Sequence, residues 1–215
     1  MFHRQYSRAN KWNRDGERQA SLPQDTEQIE SSLPLDRLHA LARSAMFAAL
    51  IAAGAFIIVP FGPLHFTLQT MMVILAGFCL GSRRGCLSVV LYLAAGLLGI
   101  PVFGRGRSGP AAFLSPAGGY LPGFLVAAAL AGTAAGIAGR RCRLAVMAMA
   151  GTAGAMVILA AGAAGLRLTV AADWNAALTL GALPFVPGDL LKVALAMGIR
   201  EAFFPGPARR GEKHA

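Results

Sequence analysis

From Ser44 to Ser82 the chain has no Asp, Glu, Lys or Arg. That run is about twice the roughly 20 apolar residues that one helix needs to cross a bilayer. It must therefore fold back, and Pro60-Phe61-Gly62-Pro63 near its middle supplies the turn. Charge is scarce elsewhere too. Only 14% of residues are charged, against about 25% in soluble domains. Hydrophobic residues make 55%, a further 26 residues are glycine, and mean hydropathy is +0.55. A soluble helix pair would need a polar face on each helix, and this run has none. These absences exclude a soluble domain and define an all-α integral membrane protein.

Acids are rarer than bases. Between residues 44 and 200 the only acids are Asp173 and Asp189, too few for a multi-carboxylate metal site. There is no Gly-x-Ser-x-Gly, no His-Glu-x-x-His and no Walker-type Gly-x-x-x-x-Gly-Lys-[Ser/Thr]. The chain is thus expected to be no enzyme and to hold no cofactor, and active transport would draw on a partner or an ion gradient. Cys79, Cys86 and Cys142 are three in number with no Cys-x-x-Cys spacing. They fall near the reducing side of the membrane, so they are expected as small core residues rather than disulfides or metal ligands.

What is present reads as a bundle of six transmembrane helices, at 44–59, 66–80, 85–101, 119–139, 144–166 and 183–203. Gly and Ala fill these spans, and Gly77-x-x-x-Gly81, Gly81-x-x-x-Gly85 and Gly132-x-x-x-Gly136 have the spacing of close helix packing. Basic residues set the orientation. The N-terminal tail, the Arg83-Arg84 turn, the Arg140-Arg141-Arg143 turn and the C-terminal tail carry seven, two, three and four Lys or Arg. The other side carries only Arg105, Arg107 and Arg167. The positive-inside rule places both termini in the cytoplasm of a multi-pass inner-membrane protein. The net charge of +10 is then topology and attraction to anionic lipid of the bilayer. Nucleic-acid binding is not expected, because the bases are scattered over short turns. Residues 1–36 mix charges with Asn, Gln and Ser and read as a disordered cytoplasmic tail. No apolar stretch there makes a signal peptide. Residues 37–204 form the membrane domain and 205–215 a basic tail.

Two charges break the apolar pattern. Asp189 and Lys192 stand three apart in Pro187-Gly188-Asp189-Leu190-Leu191-Lys192, so a helix puts them on one face. Each would cost roughly 2.5–3.5 kcal/mol at mid-bilayer. Such residues usually face a wet cavity and mark a substrate path; the plainer alternative is an ion pair that joins two helices. The long connection from Val102 to Tyr120 contains Arg105 and Arg107, which offer forks for a carboxylate. Gln69, in Thr67-Leu68-Gln69-Thr70, stands at the outer end of the second span, on the same side. Topology thus gathers Gln69, Arg107, Tyr120, Asp189 and Lys192 in the outer half of one bundle.

The order of short motifs is familiar. These are Phe66-Thr67-Leu68-Gln69-Thr70, Gly81-Ser82-Arg83-Arg84-Gly85, Leu97-Leu98-Gly99-Ile100-Pro101-Val102-Phe103, Ser115-Pro116-Ala117-Gly118-Gly119-Tyr120-Leu121 and Leu183-Pro184-Phe185-Val186-Pro187-Gly188-Asp189-Leu190-Leu191-Lys192. Over residues 44–204 the sequence resembles the BioY family, the biotin-binding S components of energy-coupling factor (ECF) transporters. The resemblance implies six helices, an outward site and capture of biotin. His65 stands where the family usually has proline, Ser115-Pro116-Ala117 replaces a Gly-Pro-[Ser/Thr] pattern, and the N-terminal tail is an extension.

Biotin chemistry suits these side chains. Asp189 can accept from a ureido N–H, and Lys192 or Gln69 can donate to the ureido carbonyl. Phe103 and Tyr120 suit the apolar bicycle, and Arg107 the valerate carboxylate. The partners expected from the resemblance are a transmembrane coupling subunit and ATPases, met by a small face of the first span that includes Ala45, Ala49 and Ala52. Homo-oligomerisation stays open. Two other readings remain beside this one, a self-sufficient secondary biotin transporter and a membrane-embedded enzyme, the latter disfavoured by the missing catalytic sets.

Overall fold

The computed structural model describes residues 24–61, 64–137, 142–170 and 173–203. In chain order it has α1 (Gln24–Phe56), β1 (Ile58–Phe61), β2 (Leu64–Thr67), α2 (Gln69–Leu80), α3 (Ser82–Leu97), α4 (Pro110–Phe113), α5 (Tyr120–Ile137), α6 (Arg143–Val170), α7 (Trp174–Gly181) and α8 (Val186–Phe203). Contacts divide the chain into Met1–Leu41 and Ala42–Ala215. The described part of the first unit is helical and belongs to α1. Residues 24–36 are therefore helix rather than disordered tail, whereas 1–23 and the expected tail 205–215 lie outside the described residues.

The six expected spans correspond to α1, α2, α3, α5, α6 and α8. Two connections differ from expectation. Pro60 and Phe61 of the expected turn belong to β1, which pairs antiparallel with β2 in the register Ile58↔Thr67 to Phe61↔Leu64, while residues 62–63 lie outside the described residues. β-Branched Ile57-Ile58-Val59 favours strand over helix, so the first span ends at Phe56 and the second starts at Gln69. The stretch before the last span holds α7, begun by Asp173, whose Oδ1 accepts from the Ala176 N–H at 2.9 Å. Leu35–Phe56, Arg143–Val170 and Trp174–Phe203 are long and apolar enough to cross a membrane, and Gln69–Leu80 and Tyr120–Gly136 are apolar but shorter. Large apolar side chains such as Val90, Met149, Leu191 and Leu195 point outward, as lipid contact requires.

Small residues bring the helices together. A Cβ on Gly77 would lie 2.6 Å from the Ala128 carbonyl oxygen, and one on Gly85 would lie 3.0 Å from the Gly77 Cα. Gly132 sits on the Ser82 backbone, and Gly119 faces Gly165 across α5 and α6. The other two glycines of the predicted spacings do not pack. Gly136 faces open space, and Gly81 (φ 79°) is the left-handed turn that links α2 directly to α3. The core between them includes Phe47, Ile51, Val73, Phe78, Phe124, Met147 and Val193. Cys79 and Cys86 are half-buried, but Cys142 is exposed and is not a core residue as expected.

Candidate ligand-binding site

Where α2, α5 and α8 begin and α3 ends, the bundle opens into a cavity of about 230 Å³. Its polar wall comes from the first turns of α2 and α8. Pro187 is tolerated in the first turn of α8, where the backbone N–H lacks a helical partner anyway. Asp189 in the same turn, and Lys192 in the next, line the cavity, and Lys192 Nζ donates to Asp189 Oδ1 at 2.8 Å. They are only 2% and 7% exposed. Pairing lowers the cost of holding either charge there. Gln69 is buried at the start of α2, and its Nε2 donates to Tyr92 Oη at 2.7 Å.

Aromatic rings form the apolar wall. Phe103 lies edge-to-face against Tyr92 at 5.4 Å and against Phe113 at 5.5 Å. It can do so because residue 96 is glycine; a Cβ there would collide with the ring. Tyr120 packs on Gly162 in the same manner, and its hydroxyl donates to the Gly181 carbonyl at 2.6 Å. That bond engages the phenol, so the ring is what Tyr120 offers the cavity. Leu121, Phe124, Ile158, Leu159 and Phe185 complete this wall.

The connection from Val102 to Tyr120 shapes the mouth. The Phe103 N–H donates to the Arg107 carbonyl at 3.0 Å, closing a tight loop around Gly104–Gly106. The Gly109 N–H donates to the Gly96 carbonyl at 2.7 Å, which pins the segment to α3. Arg107 is exposed yet lines the cavity, so its guanidinium stands at the rim. Arg105, exposed with φ 64°, is not among the lining residues. Among the described residues no three His, Cys, Asp or Glu side chains converge as a metal site would require.

All six side chains predicted for the ligand, Gln69, Phe103, Arg107, Tyr120, Asp189 and Lys192, line this one cavity. Sequence reasoning missed Tyr92, which is 1% exposed behind Gln69 and Phe103. A tyrosine within an apolar span was the available signal, because a buried phenol needs a partner. It also missed the lining of Phe124, Ile158 and Leu159, which the pattern did not separate from ordinary core. Of the expected docking set on α1, Ala45 and Ala49 are exposed, while Ala52 is half-buried and packs against the core.

A helical membrane bundle with a small, mostly apolar cavity and a few placed polar groups is the form of a small-molecule-binding membrane protein. The chain belongs to the BioY family, whose sequence model matches residues 25–206. It is 37% identical over 156 residues to a Thermotoga maritima protein named biotin transporter BioY, covering 73% of this chain and 90% of that one. It is 40% identical over 157 residues to a Pyrococcus horikoshii protein named probable biotin transporter BioY, covering 73% and 91%. Among solved structures, the S-component for biotin from an ECF-type ABC transporter superposes with a TM-score of 0.69 at 28% identity, covering 80% of this chain and 94% of that one. Family membership makes this chain a membrane transport protein and not an enzyme.

Proposed function

We propose that the chain captures biotin from the outer side of the cytoplasmic membrane as the substrate-binding subunit of an ECF-type transporter. The observation that carries this reading is the buried Asp189–Lys192 pair, which faces an aromatic cavity beside Gln69. Asp189 accepts from a ureido N–H and Lys192 donates to the ureido carbonyl. Phe103, Tyr120 and Phe124 enclose the bicycle. Arg107 at the rim meets the valerate carboxylate through charge-assisted hydrogen bonds. The named relatives and the solved S-component support biotin as the ligand.

Orientation follows from charge. Arg83 and Arg84 open α3, and Arg143, which pairs with Glu201, opens α6. All three stand at the bundle end opposite the cavity. With that end in the cytoplasm, the chain crosses the membrane several times, both termini are cytoplasmic and the cavity opens outward. Coupling to a transmembrane subunit and its ATPases then uses the exposed small face of α1 at Ala45 and Ala49. Calorimetric titration of the purified protein tests the ligand: one strong site for biotin, with desthiobiotin competing through the shared ureido group. No heat with biotin, together with a clear signal from another vitamin, would reject the reading.

A further inference from the structure

Tyr92 is not among the residues that line the cavity, yet its contacts lead to two that are. It sits in the middle of α3, and its hydroxyl lies 2.7 Å from Gln69 Nε2 and 3.4 Å from the Val102 carbonyl oxygen. Its ring meets the Phe103 ring edge-on, with an interplanar angle of 82°. A carbonyl can only accept, so the Tyr92 O–H is directed to Val102 and its oxygen accepts from Gln69. That order fixes the polarity of the Gln69 amide. The nitrogen turns to Tyr92, and the carbonyl oxygen is left for the cavity.

The geometry points to Tyr92 as a positioning residue for ligand capture. It holds Gln69 so that the cavity presents an acceptor there, and it seats Phe103 at the mouth. A ureido ligand, whose two N–H groups flank one carbonyl, then meets two acceptors, Asp189 and Gln69, and one donor, Lys192, so Gln69 takes the acceptor role in place of the donor role expected from the sequence. This deepens the biotin reading and rests on it for the identity of the ligand. The network closes among the chain's own side chains and needs no ligand atom to complete it.

The test uses Tyr92→Phe, which keeps the ring against Phe103 and removes only the hydroxyl. Biotin Kd should rise about three- to tenfold, the effect of one neutral hydrogen bond, with the melting temperature near wild type. In a Gln69→Ala background the same change should add less than about twofold, because Tyr92 acts through Gln69. In the ligand-free protein, Y92F should speed hydrogen exchange at the Phe103 and Gly106 amides, whose partners are the Arg107 and Phe103 carbonyls. Wild-type affinity in Y92F, or an equal fold loss with and without Gln69, would overturn the proposal. If the wild type binds no biotin but Y92F still speeds that exchange, the ligand reading fails and the positioning role stands. If Y92F does not fold, Gln69→Ala alone carries the affinity measurement, and wild-type affinity in Q69A overturns the proposal.

Discussion

Asp189 and Lys192 are joined at 2.8 Å, three residues apart on α8, and both face the cavity. The wall therefore carries a matched pair of charges with no net charge between them. A polar, uncharged group such as a ureido ring can meet both partners at once, the acceptor with its N–H and the donor with its carbonyl.

Asp189→Asn should weaken biotin binding more than it weakens folding. A charged acceptor lost from a buried hydrogen bond typically costs about 1.5–3 kcal/mol, or roughly ten- to 150-fold in Kd. Kd and thermal stability measured on the same detergent-solubilised sample separate the two effects. Unchanged affinity would leave the pair as a structural contact within α8 only.

Gly96→Leu should damage the mouth. Even a Cβ at this position collides with the Phe103 ring, and overpacking of this kind costs about 1–3 kcal/mol. Biotin affinity should fall with it, because the ring moves. Gly198→Ala is the control. It lies within α8 with open space around it, so it should raise stability by up to about 1 kcal/mol and leave Kd alone. Equal melting shifts for the two variants would refute the close seat of Phe103 on α3.

Single cysteines in a cysteine-free background should report opposite sides of the membrane. Leu114 is 79% exposed on the segment beside the cavity, and Arg83 is exposed at the other end. An impermeant maleimide on intact cells should label L114C and spare R83C. The reverse pattern would invert the orientation and place the cavity mouth in the cytoplasm.

Ala49→Trp should leave biotin binding intact and abolish uptake that depends on a coupling subunit. Ala49 is exposed on α1 and absent from the cavity lining, and a bulky ring there blocks the close helix approach that small residues permit. Ala52 is unsuitable for this test because it packs against the core. Binding is measured alongside uptake in cells with and without the ATPase and coupling subunits. Equal uptake in both, indifferent to the tryptophan, would favour a self-sufficient transporter.

The cavity was legible because its polar members stand out from an apolar background. Asp189, Lys192 and Gln69 are each conspicuous in a span, and counting turns between spans puts them at one end. Phe124, Ile158 and Leu159 had no such contrast, since a ligand-facing apolar residue and a core residue look alike in a chain that is 55% hydrophobic. Tyr92 was hidden for a related reason: its role depends on a contact 23 residues away. The hairpin was missed because Ile58 and Val59 continue the hydrophobic run that ends α1, and hydropathy does not distinguish strand from helix there. Arg167 and Asp173 made the stretch before the last span look like a plain connection. In the structure, Arg167 stacks on Trp174 at 4.5 Å and Asp173 caps α7.

The seat of Tyr120 on Gly162 ties together two positions 42 residues apart in sequence. The ring fills the space that any side chain at 162 would need. The two sites are therefore not free to drift separately over evolutionary time. A relative that gains bulk at the position of Gly162 should have lost the aromatic ring at the position of Tyr120, and with it the bond that anchors Gly181. Relatives that keep the tyrosine should keep the glycine.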